Sequence, residues 1–171
     1  TIGNLLNRTS SMARKWFAGC VPPSPDGLSM EHPLAQAAER AREVAIASLE
    51  VFDFRRGAEA ILQLAIEANG HLNDRAPWKL MKQEENRDAV AVDLYAVLET
   101  CRLVAVLLTP LLPDLATRML AQLGLEPIPC GASGAAAVPP PWSEPLRWGG
   151  LQGGSPLPEP VPVMQKLELE S

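Results

Sequence analysis

The sequence predicts an all-α protein: a bundle of about five helices followed by an irregular Pro/Gly-rich tail. Two observations on the residues carry the helical bundle and its limit. Apolar residues recur every three or four positions through five stretches of the first 123 residues, which is the period of a helix burying one face, and prolines or glycines separate those stretches. Beyond residue 127 the composition changes, with nine of the seventeen prolines and six of the twelve glycines lying in 128–171. A segment of that kind cannot add a helical layer. Domain limits of 1–127 for the bundle and 128–171 for a partly docked tail follow.

The first helix is predicted to run to about Gly19, with Ile2, Leu5, Leu6, Met12, Trp16 and Phe17 on its buried side. Residues 20–31 read as a loop, since Pro22, Pro23, Pro25 and Gly27 impose turn geometry. A second helix spans about 33–51 through Leu34, Ala38, Ala41, Val44 or Ala45, and Leu49. Asp53 is placed to cap a third, which continues through Ala58, Ile61, Leu62, Ala65 and Ile66 to about Asn73. A fourth, about 85–108, carries Val90, Leu94, Val97, Leu98, Cys101, Val104 and Leu108, a stripe wide enough for the middle of a bundle. Pro110 and Pro113 break it, and a shorter fifth helix runs from Asp114 to about Leu123 and stops at Gly124. In the tail, 131–137 read as flexible and 139–141 as stiff and extended. Trp142, Leu146, Trp148 and Leu151 are too apolar for a free linker and are expected to dock on the bundle.

The net charge of −5 speaks against a protein that holds nucleic acid by bulk electrostatics. A local patch remains: residues 1–25 carry Arg8, Arg14 and Lys15 with no acid, and Arg75, Lys79 and Lys82 are only partly offset by Asp74, Glu84 and Glu85. Cys20, Cys101 and Cys130 make neither an even disulfide set nor a close metal pair, which fits a reduced, cytoplasmic compartment. His32 and His71 lie too far apart in sequence to suggest zinc by spacing, so no metal is expected. The most apolar run, 103–112, is too short to cross a bilayer and is interrupted by Pro110, so no membrane partner is expected. Ser10 and Ser11 have no His or Asp arrangement that points to nucleophilic catalysis.

Two distant segments carry the functional signal. Asn4 and Arg8 are four apart, so on a helix they project from one face and offer an amide beside a guanidinium. Near the middle, Asn69, Gly70, His71, Leu72, Asn73, Asp74 and Arg75 run into Ala76, Pro77 and Trp78. Pro77 disfavours helix for Ala76 and leaves the indole of Trp78 at a helix terminus, where it can stack on an unpaired base.

In this order and at this separation, the two segments resemble the anticodon-binding helical domain of methionyl-tRNA synthetase. Gly3, Asn4 and Arg8 match its Gly-Asn-x-x-x-Arg opening. Asn69, Asn73, Ala76, Pro77 and Trp78 match its later stretch, with His71 where the family usually has Tyr. The resemblance covers about 1–125 well and the tail loosely, although 161–166 is similar to a family tail that folds back toward the catalytic domain. It implies that Asn4 and Arg8 read anticodon bases, chiefly the cytosine of the methionine anticodon, while Trp78 stacks and Pro77, Asn73 and His71 support. The implied partners are the anticodon loop of methionine tRNA and, within one polypeptide, a catalytic domain. At 171 residues the chain is too short for a whole synthetase and holds neither a His-Ile-Gly-His-like motif nor a Lys-Met-Ser-Lys-Ser-like loop. No catalytic residue and no cofactor is expected within it. ATP and methionine belong to the catalytic domain of a longer ligase, and the piece alone is expected to be inactive.

Bland alternatives stand beside each residue. Asn4 and Arg8 also fit a solvated helix face, Trp78 a hole between helices, His71 a satisfied core position, Asn69 a cap or cross-link and Trp16 plain core. At the level of the chain, the alternatives are the related domain of a leucine, isoleucine, valine or cysteine synthetase, or a non-catalytic helical scaffold.

Overall fold

The structure is a computed structural model that describes residues 2–23, 30–128 and 145–163. Among them are five helices of ten residues or more: α1 (Ile2–Trp16), α2 (Pro33–Glu50), α3 (Phe54–Arg75), α5 (Arg87–Leu108) and α6 (Pro113–Gln122), with a single turn, α4 (Pro77–Leu80), between α3 and α5. The predicted helical bundle is present, with boundaries shifted by one to three residues. The starts of α2, α3, α4 and α6 have local causes. Pro33, Pro77 and Pro113 open their helices at positions where a missing N–H costs nothing. The Asp53 carboxylate caps α3 by accepting from the Arg56 N–H, and His32 caps α2 in the same way through Leu34 N–H. Past the end of α6, Gly124 takes φ +74°, a turn conformation that a side chain would resist.

α5 is the axis of the fold. Its apolar stripe is buried as predicted, and nearly all the rest of its circumference is buried too, because α1, α2, α3 and α6 surround it. Two expectations for α3 fail: Leu62 and Ile66 are exposed. The buried face is Gly57, Ile61, Leu64, Ala65, Ala68 and Leu72, a track that keeps the 3.6-residue period, whereas 62 and 66 lie about 100° around the helix from 61 and 65. Leu49, Ala58 and Val44 are only half-buried, as are Ile2, Met12 and Trp16.

Leu146, Trp148 and Leu151 of the tail pack against the bundle; Trp142 and the stretches 131–137 and 139–141 lie outside the described residues. What holds it is polar. The Glu99 carboxylate, fully buried on α5, accepts from the backbone N–H groups of Gly149, Gly150 and Leu151 at 2.8–3.0 Å. Arg102 pairs with Glu99 at 2.7 Å and donates to the carbonyls of Pro145 and Arg147. A Cβ on Gly150 would sit 2.7 Å from that guanidinium, so a side chain there would have to push Arg102 out of its pairing with Glu99. Tyr95 adds a hydroxyl bond to the Leu151 carbonyl at 2.6 Å. Farther along, an antiparallel bridge joins Cys20 to Pro156, and Leu157 and Val163 are buried against the bundle.

Candidate nucleic-acid interface

The two motifs meet in space. Arg8, on α1, lies with its guanidinium carbon 5.6 Å from the centroid of the Trp78 ring. The same guanidinium donates to Asn73 Oδ1, on the last turn of α3, at 3.4 Å. Arg8, Asn73 and Trp78 therefore form one cluster built from segments 65 residues apart in sequence. Asn4 lies one turn before Arg8 on the same helix, exposed to solvent.

Local sequence explains how the indole is presented. Ahead of Pro77, Ala76 leaves the right-handed region for φ 43°, ψ 58°, and its N–H closes on the Leu72 carbonyl. The chain then turns into α4, where buried Pro77 anchors the turn and Trp78 remains 38% exposed. That exposure places Trp78 at the rim rather than in the core. Beside it lies an open cleft of about 370 Å³ lined by Asn7, Arg8, Ser11, Met12, Trp78 and Pro160.

Sequence reasoning missed part of this cleft. Ser11, three residues after Arg8, shares its face by helical spacing and was within reach of that argument, whereas Asn7 lies about 100° around the helix from Arg8. Asn7 is held by Gln122 of α6, whose Nε2 donates to Asn7 Oδ1 at 2.6 Å. Pro160, which arrives from the tail, had no signal in the sequence. The basic patch is also thinner than its residue count, because two cations are spent internally: Arg14 donates to the Leu157 carbonyl and Arg75 to Asp93. Lys15, Lys79 and Lys82 stay exposed.

His71 is not brought to this cluster. It lies two residues from Asn73, about 200° around α3, and faces the opposite way into a second group. There its Nε2 is 3.3 Å from Asp93 Oδ1, its ring meets His32 edge-on at 5.2 Å, and Trp148 stacks on His32 at 6.2 Å. Arg75 Nε donates to both Asp93 oxygens at 2.9 and 3.0 Å. The separation of His32 and His71 in sequence thus does not persist in the fold. Burial alone pushes the Asp93 carboxyl up, but hydrogen bonds from His71 and Arg75 outweigh it and hold it below the ordinary carboxylate range. Burial, and next the neighbouring His71, hold His32 below its usual value. No helix among the described residues is long and apolar enough to cross a membrane.

Comparison with known proteins extends the geometry. Residues 21–137 match the family model described as the anticodon binding domain of methionyl tRNA ligase. The chain is 37% identical over 169 residues to a methionine–tRNA ligase of Thermosynechococcus vestitus, covering 98% of this chain and 31% of that protein. It is 36% identical over 168 residues to the ligase of Aeropyrum pernix, covering 97% and 27%. Among solved structures, it resembles the free-state methionyl-tRNA synthetase of Mycobacterium tuberculosis, with TM-score 0.79 and 27% identity over 99% of this chain and 32% of that one. The chain thus spans about a third of the length of these relatives, and the matched model decides against the leucine, isoleucine, valine and cysteine alternatives and against a mere scaffold. Fold, paired motifs and matches agree that the chain belongs to the family of anticodon-binding domains of methionyl-tRNA ligases.

Proposed function

We propose that this chain is the part of a methionine–tRNA ligase that recognises the anticodon loop of methionine tRNA, through Asn4, Arg8 and Trp78. The observation that supports it most is the convergence of Arg8, Asn73 and Trp78, which sets a guanidinium, an amide and an accessible indole side by side. Sequence-specific RNA contacts mostly go to splayed, unpaired bases that are stacked and read on their Watson–Crick edges. Trp78 supplies the stacking surface, with Pro77 and Asn73 as its supports. A cytosine presents one amino donor and two acceptors, so the Asn4 amide oxygen and the Arg8 donors match it. Uracil reverses two of those positions and leaves groups unpaired, at about 1–3 kcal/mol for each one buried. His71 supports this arrangement only at a distance, by fixing the other face of α3.

In the whole enzyme, methionine and ATP bind a catalytic domain outside these residues, and this piece alone does not aminoacylate; residues 164–166 of the tail segment similar to the family's lie outside the described residues. A cytoplasmic setting is supported by the free thiols of Cys20 and Cys101. The test is binding to a methionine tRNA anticodon stem-loop and to one with its cytosine changed to uracil, followed by tryptophan fluorescence at low and physiological salt. A preference of about fivefold or more for cytosine that survives added salt is expected. Equal binding that vanishes with salt sinks the base-reading claim, since phosphate contacts alone are salt-sensitive and blind to sequence.

A further inference from the structure

The tRNA reading gives no direct contact to His32, His71 and Asp93, yet the fold gathers them from three elements. His32 is the residue before α2, His71 lies near the end of α3, and Asp93 lies in the second turn of α5. One ligand-capable atom from each lies within 4.8 Å of the other two. His71 Nε2 and Asp93 Oδ1 are 3.3 Å apart, long beside the roughly 2.7–2.9 Å of a charge-assisted hydrogen bond. Two ligands on one tetrahedral ion with bonds of about 2.0–2.1 Å stand about 3.3 Å from each other.

We propose that His32, His71 and Asp93 form a three-ligand site for a divalent transition-metal ion of the zinc type, which ties the start of α2 to α3 and α5. This site is independent of the tRNA reading. Two imidazoles with one carboxylate suit zinc or cobalt, whereas magnesium and calcium take oxygen ligands. Three protein ligands leave the fourth corner to water.

Two contacts must yield when the ion enters. His32 Nδ1 accepts from Leu34 N–H at 3.2 Å, and ligation through either ring nitrogen ends that bond. The start of α2 survives it, because Pro33 has no N–H there and the N–H groups of Ala35 and Gln36 already donate to the His32 carbonyl. Arg75 is the second contact, a cation that now holds both Asp93 oxygens. Its side chain is 49% exposed, so it can withdraw into solvent. The ion and Arg75 therefore compete for one carboxylate.

The test is titration of the whole chain, in a Cys20→Ser/Cys130→Ser background that removes competing thiols, with Co²⁺ read by visible absorption and Zn²⁺ read by the thermal midpoint. One equivalent of Co²⁺ with a tetrahedral spectrum is expected, together with a Zn²⁺-dependent rise in midpoint that a chelator reverses. His71→Tyr and His32→Gln each weaken binding by about tenfold or more. Arg75→Ala tightens it by about threefold or more, because the competing charge is gone; misfolding cannot produce a gain. Absence of saturable binding overturns the proposal, as does binding that survives His71→Tyr at full strength in a chain whose circular dichroism is unchanged.

Discussion

The guanidinium of Arg8 lies over the indole of Trp78, 5.6 Å from its centroid, so one face of the ring that would take a base already carries a cation. Stacking on Trp78 contributes about 1–3 kcal/mol per base. Trp78→Ala is therefore expected to weaken binding to every anticodon loop by about 5- to 150-fold, with helicity unchanged by circular dichroism. A collapse of helicity would return Trp78 to a core role, against its 38% exposure.

Glu99 holds the tail through three backbone N–H groups and offsets the buried Arg102. Removing one member of such a pair leaves an uncompensated buried charge and costs about 3–5 kcal/mol. Glu99→Ala is expected to lower denaturant stability by that amount and to expose the segment around Leu151 to limited proteolysis. Wild-type protection of that segment in Glu99→Ala would show that apolar docking alone suffices.

Acid should destabilise the chain in two steps of the same sign. His32, facing His71, Asp93 and Arg75, titrates below its ordinary 6.5 in the fold, so its neutral form contributes stability that is present above about pH 6.5 and is lost as pH falls through the lower folded value. Asp93, facing His71 and Arg75, is held below its ordinary 3.8. Its contribution is present above about pH 4 and is lost as pH falls further. Thermal midpoints at pH 7.5, 5.5 and 3.5 should decline in that order, and Asp93→Asn should flatten the last interval. A midpoint that rises on acidification would contradict both shifts.

Burial pushes the Cys101 thiol up to about 12, and thiolate is the form that reacts. Cys20 is half-exposed and is expected to be alkylated at pH 8 in the folded chain. Cys101 should be labelled only after denaturation, a difference that mass spectrometry of the peptides would resolve. Rapid labelling of Cys101 under native conditions would mean that α5 opens locally.

Much of this was legible in the residues. Period and punctuation place α1, α2, α5 and α6, because each carries an apolar stripe at helical spacing and is bounded on at least one side by a proline or a glycine. α3 was read on a partly wrong track, since Leu62 and Ile66 are as apolar as Ile61 and Ala65, and only the positions of α2 and α5 choose between them. Arg8 and Trp78 were found through motif resemblance; their contact was not, since nothing local states that α1 crosses the end of α3. The pairing of His32 with His71 and the arrival of Pro160 at the cleft depend on long-range closure, which sequence spacing does not encode.

That closure also sets an order of events. α2 and α3 pair across a short turn and need only neighbours in sequence, so they can form while the chain is still emerging from the ribosome. The cleft beside Trp78 cannot. Its floor comes from α1, its edge from Trp78 and its last wall from Pro160, after Leu157 N–H has found the Gly19 carbonyl. The surface proposed to meet RNA is thus finished only once residue 160 has been made, and a chain stalled before it holds the helices without the completed cleft.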